Sequence, residues 1–115
     1  MNYPKECSIF HNASMLGDTE RTIEADWGEC LEELTGVEKL HLMAILSFWQ
    51  AMDTEQQSFN GVECTLTEAI EAYPVRIVSE DVHGILRQLD RDVAETTFDL
   101  MVAVANQIKH GVFAE

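Results

Sequence analysis

The chain has 115 residues, 46% of them hydrophobic, and sets seven Lys and Arg against 21 Asp and Glu for a formal net charge of −14. That apolar content suffices for one domain with a real core and excludes wholesale disorder. The charge excludes direct binding to DNA, RNA or an anionic membrane, and it exceeds the magnitude of about 2 to 8 that keeps a small domain soluble.

Residues 1–17 show no sustained period and read as an irregular N-terminal segment, with a short strand expected over 7–10 and a turn over 12–17. No charged-then-apolar leader opens the chain. The longest apolar run, 40–52, is broken by His41, Ser47 and Gln50. As a helix it would span only about 20 Å against a bilayer core of roughly 30 Å, so the expected location is cytoplasmic. Cys7, Cys30 and Cys64 are odd in number and form no CxxC, which favours reduced, mostly buried thiols over a disulfide framework or a zinc site.

From Asp18 onward the pattern is that of an acidic helical domain, residues 18–115. Ile23, Trp27, Cys30, Leu31 and Leu34 fall on one stripe at spacings of three and four, with Asp18 or Thr19 to start the helix and Gly36 to end it. Residues 37–52 have little polar face and predict a central helix with Leu46 and Trp49 in the core. Asp53 is expected to cap a short helix that closes near Asn60-Gly61. Thr65-Leu66-Thr67-Glu68 has capping-box spacing, and Leu66, Ala69, Ile70 and Tyr73 continue from it until Pro74 stops the helix. Ser79 caps a further helix that buries Val82, Ile85, Leu86 and Leu89 and carries Glu80 and Asp81 in its first turn, where the helix dipole favours anions. The last helix is expected over 92–110, with Gly111 after it. The fold class is therefore all-α, or α with a minor N-terminal β element, in a single compact domain of five to six helices.

No catalytic or metal-binding motif appears. His11, His41, His83 and His110 form no HExxH pair, and although His11 stands four residues after Cys7, no second pair at metal-ligand spacing accompanies it. Asp90-Arg91-Asp92 lacks the further oxygens and glycine of a calcium loop and reads as a helix junction. There is no GxSxG, P-loop or GxGxxG. Trp27, Phe48, Trp49 and Phe98 lie on or near apolar faces and suit core packing better than base stacking. The sequence thus points to a non-enzyme with no cofactor and no metal.

The acids are the remaining signal. Taken singly, each fits a solvated helical face. Together, Glu20, Glu24, Asp26, Glu29, Glu32 and Glu33 in the first helical stretch, and Glu80, Asp81, Asp90, Asp92, Glu95 and Asp99 later on, suit a mimic of DNA. Acids three or four apart on a helix sit roughly 5–6 Å from one another, comparable to the phosphate spacing along a strand, and a ladder of them would be steered into a basic cleft as DNA is.

Gly36-Val37-Glu38-Lys39-Leu40, the long apolar helix, Asp53-Thr54-Glu55 and Thr65-Leu66-Thr67-Glu68-Ala69-Ile70 resemble the central helical region of the ArdA-type antirestriction proteins of conjugative plasmids and transposons. Ser79-Glu80-Asp81 extends the likeness, which covers residues 36–90 at most. Members of that family are usually longer, and the chain shows no counterpart of their acidic, tyrosine-bearing C-terminal stretch. The resemblance implies a DNA mimic encoded by a mobile element that occupies the DNA groove of a restriction–modification enzyme, and it leaves a homodimer open. The expected function is a non-catalytic acidic inhibitor of a DNA-binding defence enzyme. The alternative is an acidic helical adaptor that binds a protein partner through an apolar surface.

Overall fold

Helices form where the apolar periods place them: α1 (Asp18–Trp27), α2 (Gly36–Asn60), α3 (Leu66–Ala72), α4 (Glu80–Leu89) and α5 (Ala94–Lys109). The computed structural model describes residues 18–28, 30–90 and 94–114, apart from the side chains of Glu20, Ala94 and Glu95. The strand and turn expected within residues 1–17 fall outside them. The chain is a small all-α domain, and its radius of gyration of 13.9 Å is close to the roughly 13 Å of a compact chain of this length.

Three starts are fixed by side-chain caps. Thr35 forms a full capping box with Glu38 at the head of α2, a signal that the sequence carried but that the Thr65 motif overshadowed. Thr65 accepts from the Glu68 amide at α3, and Ser79 accepts from the Val82 amide at α4. The Ser79 hydroxyl also donates to Glu38, so one carboxylate ties the starts of α2 and α4 together. Burial pushes the Glu38 carboxyl up, but the hydrogen bonds from Ser79 and Thr35 outweigh it and hold the group below its usual range.

Two helix boundaries differ from the sequence expectation. The first helix stops at Trp27 rather than near Leu34, because Gly28 turns left-handed at φ +91° and Leu31 follows at φ +49°. Left-handed backbone costs a non-glycine residue about 1–3 kcal/mol. Leu31 and Leu34 are both fully buried by the turn, at roughly 1.5–3 kcal/mol each, so burial wins over helical propensity. Further on, the two helices expected on either side of Asp53 are one. No Gly or Pro interrupts 37–60, and the Asp53 carboxylate instead accepts from the Cys64 amide at 2.9 Å and from the Gln57 side chain at 2.8 Å. Trp49 donates to the Cys64 carbonyl at 2.8 Å, so α2 holds both backbone groups of that loop residue. Gly61, left-handed at φ +66°, ends the helix where expected.

The core joins Leu42, Ile45, Leu46 and Trp49 of α2 with Val82, Ile85, Leu86 and Leu89 of α4, Leu100, Ala103 and Val104 of α5, and Ile23 and Trp27 of α1. α2 packs on α3, α4 and α5, and α4 also packs against α1. Phe98, expected on an apolar face, is about half exposed (48%). Among the described residues no helix is long and apolar enough to cross a membrane.

The cysteine reading is corrected. Cys64 is a free, buried thiol, whereas Cys30 is disulfide-bonded, with its partner outside the described residues. Spacing along the chain gave no close pair, but a disulfide needs only proximity in space.

Candidate functional site

The packing of α1 on α4 brings part of each acidic group of the sequence, Glu24 and Asp26 of the first and Glu80 and Asp81 of the second, onto neighbouring elements. Their junction is Trp27. Its indole nitrogen donates to Asp81 at 3.0 Å, and its ring lies over Gly84 so closely that a Cβ there would stand 2.7 Å from it. The glycine is what lets the end of α1 close on the beginning of α4, and the hydrogen bond sets the register of the two helices.

Around that junction the acids differ in what they do. Asp26, Glu33, Glu80 and Asp90 are exposed. Asp81 is also exposed but is engaged by Trp27. Glu24 and Glu32 are half-buried. Glu32 accepts from the Cys30 amide at 3.3 Å, and its other oxygen occupies the space beside Gly28, so this acid organises the turn after α1. Asp99, half-buried, belongs to α5 and is not on the α1–α4 pair. Glu29 and Asp92, with the side chains of Glu20 and Glu95, lie outside the described residues. Two exposed acids on α3, Glu68 and Glu71, have the same spacing of three and were not among the candidates.

Two exposed carboxylates about 6 Å apart repel by roughly 0.7 kcal/mol in water before screening. Glu80 and Asp81 offset part of this by lying in the first turn of α4, where each gains about 0.3–1 kcal/mol from the helix dipole.

A second cluster was not anticipated. Lys39 is completely buried, and its ammonium donates to the Cys30 carbonyl at 3.0 Å and to the Val112 carbonyl. Burial lowers its pKa to about 8, against the opposing pull of the Glu32 charge. The Ala114 amide donates to the Leu34 carbonyl at 2.8 Å, so the segment after α5 is fastened beside the same turn. A lysine that acts on a substrate must be reached by it, and this one is covered on every side. Its work is to hold two backbone segments together. One signal could have found it: Lys39 shares the stripe of Leu42, Leu46 and Trp49, the positions that face the core.

Among the described residues no group of three His, Cys, Asp or Glu is placed to hold a metal ion. At the far end of α2, Met52, Glu55, Gln56, Phe59 and Asn60 line a surface cavity of about 420 Å³, and Phe59 is 79% exposed. No family model matches this sequence, and no curated protein or solved structure matches it.

Proposed function

We propose that the protein is a non-catalytic acidic inhibitor that presents the α1–α4 side to a basic DNA-binding protein, in the manner of a DNA mimic. The observation that carries this reading is the packing of α1 on α4 through Trp27, which sets Asp26, Glu33, Glu80 and Asp90 on adjoining elements of a chain with net charge −14. A basic cleft built for phosphates would attract such a surface from a distance and gain from many screened contacts. The family resemblance adds a target class, the restriction–modification enzymes, and with it a mobile-element origin and a cytoplasmic site of action.

The test is inhibition of DNA cleavage by a type I restriction enzyme, with duplex DNA as competitor. Each single change among Asp26→Asn, Glu33→Gln, Glu80→Gln and Asp90→Asn is expected to weaken inhibition by at most about 1 kcal/mol, as for exposed charges generally. The four together should weaken it far more and flatten its salt dependence. Equal inhibition by wild type and quadruple variant at every salt concentration would overturn the proposal.

A second reading, the acidic adaptor with an apolar surface, is favoured by the cavity at the end of α2. There a few aromatic and apolar anchors, Phe59 and Met52, would dominate binding and salt would matter little.

A further inference from the structure

Between α3 and α4 the chain crosses the surface without entering a helix. Tyr73 and Ser79, at its two ends, have extended backbone, and no turn or bend falls from Arg76 to Val78. Val75, Ile77 and Val78 are β-branched, the composition of a strand. Among the described residues, however, this stretch has no strand beside it.

The stretch is held firmly from within. The Tyr73 ring stands edge-on to Phe48 of α2, with centroids 5.4 Å apart. Ile77 is buried in the core, and His83 Nε2 donates to its carbonyl at 2.7 Å. Ser79 caps α4 and donates to Glu38. Side chains alternate along extended backbone, so an inward Ile77 puts Arg76 and Val78 outward. Both are exposed, Val78 to 75%. The backbone groups alternate in the same way. Ile77 turns its carbonyl toward His83, so Arg76 and Val78 turn their N–H and C=O groups to the opposite edge. Among the described residues none of those four groups makes a hydrogen bond.

That edge fixes the shape of its occupant. Two donors and two acceptors, two residues apart, are matched by extended backbone. A helix has already paired the N–H and C=O groups along its side and has none to offer. An edge held this rigidly also loses little conformational freedom when it pairs. Charge selects the composition. Glu71 and Glu80, both exposed, flank the stretch on a chain of net charge −14, and Arg76 is the one cation between them. Basic residues beyond the ends of the paired stretch gain from both acids, while a second copy of this chain is repelled.

We propose that Arg76–Val78 is a docking edge for an extended, basic-flanked segment of a partner protein, which adds to it as a strand. This contact does not rest on the mimic reading. A partner bound here is held by backbone hydrogen bonds, which neutralising Asp26, Glu33 and Asp90 leaves intact.

A contact made mostly by main chain is tolerant of sequence, so a generic probe tests it. The probe is a Thr-Val repeat peptide with lysines at both ends, titrated into the full chain and followed by amide hydrogen exchange in NMR spectra. So few hydrogen bonds give a dissociation constant of about 0.1–1 mM. At about 1 mM peptide the Arg76 and Val78 amides should therefore exchange roughly two- to tenfold more slowly, and the Ile77 amide, on the inner edge, at its original rate. The same peptide N-methylated along its Thr-Val repeat keeps its charge but has no N–H to donate, and it should protect neither amide. Val78→Pro removes one donor from the edge and leaves the Ser79 cap in place. It should weaken binding about two- to tenfold with an unchanged melting temperature. Absent protection at that peptide concentration, equal protection by the N-methylated peptide, or binding indifferent to Val78→Pro would each overturn the proposal. So would protection of these amides in the concentrated protein alone, which would assign the edge to a second copy.

Discussion

Lys39 meets opposing demands: burial strips water from its ammonium, while two carbonyls and the Glu32 charge favour the proton. Desolvation wins, and the pKa falls to about 8 from 10.5. Above pH 8 the unfolded chain therefore holds this proton more tightly than the folded one, and stability rises with pH through that window. Cys64 works in the other sense. Burial, with the Glu68 and Asp53 charges, raises its thiol above 9.0, so its contribution is lost as pH climbs beyond that value. Between pH 8 and 9 the lysine is the shifted group among the described residues, and urea unfolding should show stability increasing there by roughly 1 kcal/mol. Lys39→Met should abolish that slope. Gly84→Ala should cost about 1–3 kcal/mol, because the added methyl meets the Trp27 ring and the indole is pinned by Asp81. Thr97→Val should do the opposite in thermal melts, stabilising by about 1 kcal/mol, since the Thr97 hydroxyl is buried without a hydrogen-bond partner.

Among the elements, α2 is the hub, packed on three of the other four helices. Leu46 is fully buried in it, and Leu46→Ala should cost about 2–5 kcal/mol in chemical unfolding; a loss under 1 kcal/mol would contradict the packing described. How well each element could be read from the sequence follows from the range of the interactions that fix it. Caps at Thr65, Ser79 and Gly61 act within three or four residues, and the sequence shows them directly. The stop after Trp27 depends on Leu31 and Leu34 reaching a core that other helices build, which no local pattern contains. Asp53 looks like a helix cap because Asp usually is one, and only the approach of the Cys64 amide gives it a different partner. The acids show the same division. Asp26, Glu33, Glu80 and Asp90 are exposed, as their place off the apolar stripes suggests, while Glu32 and Asp81 are committed to the Cys30 amide and the Trp27 indole by turns and packing that are set in three dimensions.

At the scale of the whole molecule, charge and apolar surface are sorted to different places. Asp26 of α1, Glu33 of the turn after it, and Glu80 and Asp90 at the two ends of α4 are exposed acids, whereas the exposed residues of α2 from Val37 to Thr54 are uncharged. Plain duplex DNA should not bind at physiological salt, and micromolar binding in an anisotropy assay would contradict the electrostatics on which the mimic reading depends. The Lys39 cluster bears on how such a molecule is made. The lysine is near the head of α2, but the Val112 carbonyl that it needs comes 73 residues later. During synthesis α2 is therefore complete, with a cation on its core-facing stripe and one of its carbonyl partners still to be translated. Closure comes with the last turn of α5 and the segment after it, so the order of translation places the tightening of this fold at the end.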